Sequence, residues 1–287
     1  MRSKNINQHI AECIETYIDP DGNKQPVINL KAVTAIAQAQ RTTIREVEIA
    51  ALEQGVIPWR YLRNMGTIGP DGQIKLLQSA VAIVGAGGLG GTIIELLARQ
   101  GIGRIVIIDN DRFAEQNLNR QLMSTEKNLG KYKALVAAKR VAQINSAVTV
   151  TTFLEKLTRE NARRLLKGAG VVADGLDNVP SRFVVEIACR SLGIPLVHGT
   201  IAGFCGQLTT IFPEDAGLCC IYGASNRFPE QGIELKVGNP SATPAIVAAW
   251  QVQEIVKIIT GIGKPLRNSL LLLDMMEGIA DRIEFNR

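Results

Sequence analysis

The chain is poor in aromatic side chains. Phe, Trp and Tyr make up only 5% of its 287 residues, whereas 46% of the residues are hydrophobic. A core with so few rings has to be mainly aliphatic, which fits a parallel β-sheet rich in Val and Ile. Internal repeats and low-complexity segments are lacking as well, so the composition predicts an ordinary globular protein.

Long apolar runs are also missing. Residues 1–9 contain no apolar signal core, and no uncharged run approaches the ~20 apolar residues that a membrane helix needs. The apolar stretch 245–260 is interrupted by Glu254 and Lys257, and we interpret it as a buried amphipathic helix. The five cysteines are an odd number, which argues against a disulfide framework. We therefore expect a cytoplasmic protein that does not bind a membrane.

The basic residues lack the clustering that is typical of nucleic-acid binding. The net charge is +5 at pH 7, but Lys and Arg do not gather around aromatic side chains. Residues 1–56 are predicted to form a separate helical extension, with a turn at 19–23 and helices over 30–40 and 43–54. Thr43 is expected to cap the second helix and Gly55 to end it. This pair would suit a helix-turn-helix, but without a basic face we favour a hairpin packed on the main domain, 57–287.

A glycine-rich turn follows the first apolar run of the main domain. Residues 81–84 are predicted as a strand, and Gly85, Gly87 and Gly90 complete a G-x-G-x-x-G pattern before an apolar-periodic helix. Such a turn lets the backbone approach a phosphate, and the helix N-terminus offers free N–H groups. Asp109 ends the next apolar run, where an acidic side chain can hydrogen-bond a ribose. The order of these features predicts an adenine-nucleotide site.

Strands and helices alternate from residue 80 onward. Strands are predicted near 81–84, 104–109, 147–153, 170–174 and 194–198, and helices near 88–100, 130–144, 159–167 and 180–192. This alternation predicts an α/β fold with a Rossmann-like, doubly wound, mostly parallel sheet. Strands near 206–212 and 269–274 are expected to complete the sheet in antiparallel fashion, and 213–243 is predicted as a long loop.

Polar segments that follow the strands supply candidate phosphate ligands. Arg120 can bind an oxyanion through two N–H groups, and Lys133 at a helix start can act as a point charge. A carboxylate within 174–178 is well placed to hold Mg²⁺ against nucleotide phosphates. Taken singly, these segments also suit a solvated loop, a surface lysine and an N-cap aspartate.

Together, these segments resemble the ThiF/MoeB/HesA family of ubiquitin-activating-like enzymes. The matching stretches are R-Y-L-R-N at 60–64, G-A-G-G-L-G at 85–90, D-N-D at 109–111, N-L-N-R-Q at 117–121, G-K-Y-K at 130–133 and D-G-L-D-N-V-P-S-R at 174–182. The resemblance covers residues 57–287. It implies an enzyme that uses ATP and Mg²⁺ to adenylate the C-terminal glycine of a small ubiquitin-fold sulfur carrier ending in Gly-Gly, as in thiamine or molybdopterin synthesis.

The resemblance also implies roles for single residues. Asp109 is similar to the residue on the ribose, Asp177 to the Mg²⁺-associated aspartate, and Arg63 to an arginine that reaches into the partner's site in a homodimer. Catalysis would involve Asp177, Arg120, Lys133 and Arg63. The residues expected to bind the nucleotide are Gly85, Gly87, Gly88, Gly90, Asp109, Asp111, Asn117, Arg120, Lys133 and Asp177.

The cysteine pattern departs from that of many relatives. No cysteine follows Cys220, so four zinc ligands in C-x-x-C pairs cannot be supplied and no structural zinc is expected. A thiol nucleophile within 221–287 is excluded as well. Cys205, Cys219 and Cys220 remain conceivable nucleophiles, but we favour an enzyme that stops at the acyl-adenylate and passes it to a separate sulfur donor. His198 is interpreted as a packed histidine at a strand end.

Two other functions remain open at the level of sequence. An NAD(P)-dependent oxidoreductase would use the same glycine turn and Asp109, but it leaves Asn117, Arg120, Lys133 and Asp177 without a role. A non-catalytic nucleotide sensor, with DNA contacts from the N-terminal helices, is the least favoured because the phosphate ligands are all present.

Overall fold

The structure, a computed structural model, describes residues 5–223 and 234–285. The described strands are β1 Glu15–Ile18, β2 Lys24–Ile28, β3 Ile57–Pro58, β4 Ala80–Val84, β5 Arg104–Ile108, β6 Thr149–Phe153, β7 Val171–Asp174, β8 Leu196–Ala202, β9 Cys205–Ile211, β10 Ser269–Asp274 and β11 Ile279–Glu284. The described α-helices are α1 Ile6–Glu12, α2 Leu30–Gln40, α3 Ile44–Glu53, α4 Met65–Gln78, α5 Gly88–Gln100, α6 Lys133–Ile144, α7 Ala162–Leu166, α8 Val179–Leu192, α9 Cys219–Tyr222, α10 Glu234–Val237 and α11 Ala242–Thr260.

An eight-stranded sheet forms the centre of the main domain, in the order β11-β10-β9-β8-β7-β4-β5-β6. Strands β4 to β8 run parallel to one another. The pairs β8–β9, β9–β10 and β10–β11 are antiparallel. The predicted Rossmann-like sheet with antiparallel C-terminal strands is therefore confirmed.

The direction of winding reverses at β4. Its two neighbours are β5 and β7, so the chain leaves β4 toward one edge of the sheet and later returns on its other side. The connections after β4 and β7 consequently diverge at the carboxyl ends of these strands. In open α/β sheets this is where a crevice forms and ligands bind.

Helices cover both faces of the sheet. Along β4, Val81 and Ile83 join the core formed with α5, α6 and α11, whereas Ala82 and Val84 join the core formed with α7 and α8. This alternation follows from the two-residue period of a strand. Because both faces are buried, the strand is apolar throughout, as the sequence pattern predicts.

The N-terminal extension contains the two predicted helices, together with helix α1 and a β-hairpin that were not predicted. Thr43 caps α3 in a capping box with Glu46, and Gly55 follows the helix with a positive φ of 73°. The purely helical description of 1–56 is corrected by β1 and β2, which pair antiparallel around the turn at 19–23. Strand β2 also pairs in parallel with β3, which begins just beyond residue 56. The domain division at 56/57 stays a prediction.

Helix α4 and strand β11 also escaped prediction because their local signals are weak. Helix α4 is kinked at Gly69, whose φ of 65° and ψ of 177° lie outside the helical range, and Pro70 follows directly. Strand β11 is exposed along its whole length, and among the described strands it pairs with β10 alone. In α11, the buried Glu254 pairs with Lys257 and accepts hydrogen bonds from Thr210 and the Leu266 N–H.

The predicted loop 213–243 contains two short helices, α9 and α10. Its central part, 224–233, lies outside the described residues. Helix α11 is packed in the core as predicted, and none of the described helices combines the length and the apolar character that crossing a membrane requires.

Candidate active site

The turn between β4 and α5 brings backbone N–H groups to the carboxyl edge of the sheet. Gly85 has a φ of +90° and donates its N–H to the Ile108 carbonyl at 2.9 Å. A Cβ on Gly90 would stand 1.8 Å from the Gly85 carbonyl oxygen, so only glycine allows α5 to lie this close. Gly87 supplies no side-chain cap for α5. The first turn of this helix therefore offers its N–H groups and positive dipole end to an anion.

A cavity of about 390 Å³ opens in front of this turn. Among the predicted site residues, those that line it are Gly85, Gly87, Gly88, Asp109, Asp111, Arg120, Lys133 and Asp177. Gly90, Asn117 and Arg63 do not line it. The connections after β4, β5, β6 and β7 and the last part of β8 all contribute to the lining, as the reversal of winding at β4 predicts.

Asp109 lies at the end of the cavity next to the glycine turn. Its carboxylate accepts the Ala86 N–H at 2.6 Å and the Asp111 N–H at 2.7 Å. Burial raises the pKa of Asp109, whereas these two N–H groups oppose the shift because they favour the carboxylate. The side chain is thus held against the turn, in the position where a ribose hydroxyl would be recognised.

Two cations also line the cavity. Lys133 is only 7% exposed, and its Nζ lies 3.1 Å from the Asp111 carboxylate. Arg120 donates to the Gln116 carbonyl at 2.9 Å and to the Asn119 amide oxygen at 2.8 Å. These contacts orient both cations at the cavity wall while leaving donors for an oxyanion.

Asn117 and Arg63 are not brought to this cavity. Asn117 is 6% exposed, and its side-chain oxygen accepts the Ala114 N–H at 2.9 Å. It therefore shapes the loop that carries Arg120, and its predicted phosphate contact is not seen in this geometry. Arg63 is exposed on the 59–64 turn, outside the cavity. Its role across a dimer stays a prediction.

Asp177 stands exposed in the connection between β7 and α8, at the cavity. The N-cap of α8 is Asn178, whose side-chain oxygen accepts the Ser181 N–H at 3.0 Å. Asn178 also donates its side-chain N–H to Asp177 Oδ1 at 3.2 Å, so one oxygen of this carboxylate has a partner while the side chain stays exposed. Exposed carboxylates in a cavity that also holds cations are a donor set typical of Mg²⁺, which binds one or two carboxylates and completes its shell with water and substrate phosphates.

Two buried acceptor atoms also face the cavity without a partner. Gln121 and Asn239 both line it, and neither Gln121 Oε1 nor Asn239 Oδ1 has a hydrogen-bond partner within 5–223 and 234–285. Buried polar atoms are rarely left unsatisfied, so these fit a site that binds a polar ligand. Gln121 belongs to the N-L-N-R-Q segment at 117–121, whereas nothing in the local sequence around Asn239 marks it as a cavity residue.

His198 is packed, as predicted, but in a polar environment. It is fully buried on β8, and its ring nitrogens lie 2.7 Å from the Asp174 carboxylate and 3.1 Å from the Tyr222 hydroxyl. Burial lowers the pKa of His198. The imidazole is therefore neutral, and it has no contact with the cavity.

The cysteines lie outside the cavity lining. Cys205, Cys219 and Cys220 are exposed and free, and burial raises the pKa of the Cys220 thiol. Within the part of the chain that the structure describes, no group of three or more His, Cys, Asp or Glu side chains is arranged to hold a metal ion. The expectation that the protein has no structural zinc stays a prediction.

Comparison with known proteins gives a consistent result. The ThiF family model matches residues 61–287. A sulfur carrier protein adenylyltransferase of Thermus thermophilus is 36% identical over 242 residues, covering 79% of this chain and 87% of that protein. The SAMP-activating enzyme E1 of Haloferax volcanii is 36% identical over 223 residues, covering 76% and 82%.

Solved structures show the same fold at lower identity. The crystal structure of E. coli MccB with succinimide superposes with a TM-score of 0.69 and 21% identity, covering 89% of this chain and 83% of that one. At this identity the likeness concerns the fold alone.

Proposed function

The chain belongs to the ThiF family, and from this membership we propose that it adenylates the C-terminal glycine of a small ubiquitin-fold sulfur-carrier protein. The observation that carries the proposal is that one cavity is lined by Arg120, Lys133, the open first turn of α5 and the exposed carboxylate of Asp177. Cations and free N–H groups lining one cavity suit the phosphates of ATP.

In the proposed reaction, a carboxylate oxygen of the terminal glycine attacks the α-phosphorus of ATP. The bond from that phosphorus to the oxygen bridging to the β-phosphate breaks, and pyrophosphate leaves. The nucleophile is already an anion, so no general base is required, and the neutral, buried His198 does not count against the chemistry. Arg120 and Lys133 stabilise the charge that develops on the phosphates.

Asp177 would hold Mg²⁺, with Asp109 and Asp111 nearby in the same cavity. When bound, the ion neutralises phosphate charge and orients the triphosphate. Without the Asp177 carboxylate, the cavity keeps its cations and its N–H groups but loses this ligand. Asp177 is therefore the residue whose replacement separates nucleotide binding from turnover.

The fate of the acyl-adenylate follows from the cysteine pattern. Since residues 221–287 contain no cysteine, we propose that the enzyme releases the acyl-adenylate to a separate sulfur donor instead of forming a thioester in this segment. Thiamine and molybdopterin synthesis are the candidate pathways. The working unit would be a homodimer in which Arg63 enters the partner's site.

The test is ATP–pyrophosphate exchange with a panel of ubiquitin-fold proteins that end in Gly-Gly. The wild-type protein is expected to exchange label only with its own carrier. Asp177→Asn, which is nearly isosteric, should lower the rate by at least about a hundredfold while ATP still binds. Asp281→Asn is the matched control, because Asp281 is exposed on β11 and does not line the cavity.

Two results would count against the proposal. Exchange at the wild-type rate in Asp177→Asn would remove this carboxylate from the mechanism. Silence with every carrier, combined with tighter binding of NADH than of ATP, would favour an oxidoreductase that uses the same glycine turn.

A further inference from the structure

The backbone of Leu176, directly before Asp177, is held at both of its polar groups. Its N–H donates to Asp174 Oδ1 at 2.8 Å, and its carbonyl accepts from Arg182 Nη2 at 2.8 Å. Asp174 ends β7 and Arg182 lies on α8, so both side chains are fixed by secondary structure. Asp174 and Arg182 therefore fix the backbone of Leu176, and with it the direction in which the chain continues to Asp177.

These two side chains are in turn members of a closed polar ring with His198 and Tyr222. Arg182 Nη1 lies 3.2 Å from the Tyr222 oxygen, which lies 3.1 Å from His198 Nε2. His198 Nδ1 lies 2.7 Å from Asp174 Oδ2. Arg182 Nε lies 3.4 Å from the same oxygen and closes the ring as an ion pair without a hydrogen bond. Asp174 and His198 are fully buried, and Arg182 is 6% exposed.

The chemistry of the four groups fixes the direction of every hydrogen bond. The guanidinium can only donate, so the Tyr222 oxygen accepts from Arg182 and its O–H is free to donate to His198 Nε2. The neutral imidazole then carries its proton on Nδ1, where it donates to the Asp174 carboxylate. Removing any one member leaves another buried group without its partner.

Two members of the ring do not line the cavity. His198 and Tyr222 lie behind its wall, whereas Arg182 and Leu176 belong to it. We propose that His198 and Tyr222 are positioning residues for Asp177, acting through Asp174 and Arg182 on the Leu176 backbone. This inference rests on the proposed function, since it gives Asp177 the role of the metal ligand.

The decisive variant is Tyr222→Phe, which removes one hydroxyl and keeps the ring edge-to-face with His198, 5.8 Å away between centroids. We expect kcat for pyrophosphate exchange to fall about tenfold, in the range typical of residues that orient a metal ligand. The KM values for ATP and the carrier should stay within about twofold of wild type. In calorimetric titrations, ATP should bind equally well to both proteins in EDTA, and the gain in affinity on adding Mg²⁺ should be smaller in Tyr222→Phe.

Tyr17→Phe is the matched control, because it removes a hydroxyl from the N-terminal hairpin, outside the cavity. His198→Gln, which keeps one donor and one acceptor, should retain more activity than His198→Ala.

The inference is overturned if Tyr222→Phe leaves kcat unchanged, or if it weakens ATP binding to the same extent with and without Mg²⁺. Failure of the proposed function is distinguishable, because wild-type protein would then show no exchange in the first place.

Discussion

At the scale of single residues, a buried carboxylate joins the N-terminal extension to the main domain. Glu48 on α3 is 1% exposed, lies 3.3 Å from Arg60 Nε and accepts the Tyr61 hydroxyl at 3.2 Å. Asn145 at the end of α6 donates to the same Tyr61 oxygen and also contacts Arg60. Burial raises the pKa of Glu48 to about 7, although Arg60 and Tyr61 oppose the shift.

This carboxylate makes stability depend on pH. The folded protein binds a proton at Glu48 up to about pH 7, whereas the unfolded chain loses it near 4.5. The contribution of protonated Glu48 to the free energy of unfolding is therefore complete below pH 4.5, and it is lost as the pH rises through 7. In urea titrations, the unfolding free energy of the wild-type protein should fall between pH 5 and 8. In Glu48→Gln this fall should be smaller by about 1–3 kcal/mol.

The matched control is Glu53→Gln, an exposed carboxylate on the same helix, which should keep the wild-type dependence on pH. An unchanged slope in Glu48→Gln would show that Glu48 titrates alike in both states. Sequence reasoning did not single out Glu48, because its burial arises only when the extension packs against Tyr61 and Arg60.

At the scale of elements, the contact between α5 and the glycine turn is the tightest constraint on the nucleotide site. Gly90→Ala would place a methyl group 1.8 Å from the Gly85 carbonyl oxygen, so the helix has to move away from the turn. We expect a loss of about 1–3 kcal/mol of stability and at least a tenfold weaker affinity for ATP. Thermal melts and calorimetric titration measure the two effects.

Gly66→Ala serves as the control for this substitution. Gly66 is exposed on α4 and has open space around its Cβ position. Alanine there should leave ATP binding unchanged and alter stability by less than about 1 kcal/mol. If Gly90→Ala binds ATP like the control, the close approach of α5 is not what shapes the site.

The elements that could be predicted are those with local signals. Helix α2 and helix α5 have the predicted bounds, because apolar periodicity and a clear end mark each of them. The hairpin of β1 and β2 could not be predicted in this way: its strands are short, and Pro26 lies within β2. It is held by pairing with β3, a contact that no local pattern encodes.

At the scale of the whole molecule, the sequence predicted the residues at the ends of the parallel strands and missed those that depend on tertiary packing. Asp109, Lys133 and Asp177 line the cavity because the carboxyl ends of β4, β5 and β7 meet at one edge. Asn117 was expected there but caps its own loop. Asn239 reaches the cavity from the far end of the chain, which only the fold determines.

Arg63 provides a test of the proposed homodimer, because it is exposed and lies outside the cavity of its own chain. Arg63→Ala and Asp177→Asn should each be inactive alone. Mixed and allowed to exchange subunits, they should recover up to about one quarter of wild-type activity, since each mixed dimer has one complete site. If native mass spectrometry shows exchange and activity stays absent, Arg63 does not act across a dimer.

The central claim is that a carrier carboxylate forms a bond to the α-phosphorus of ATP. The most direct measurement uses a carrier whose C-terminal carboxylate is labelled with a heavy oxygen isotope, with hydroxylamine added to cleave the product at its carbonyl carbon. We predict that the released AMP carries one heavy oxygen in its phosphate and that pyrophosphate carries none. Unlabelled AMP, or ADP as the nucleotide product, would contradict the account.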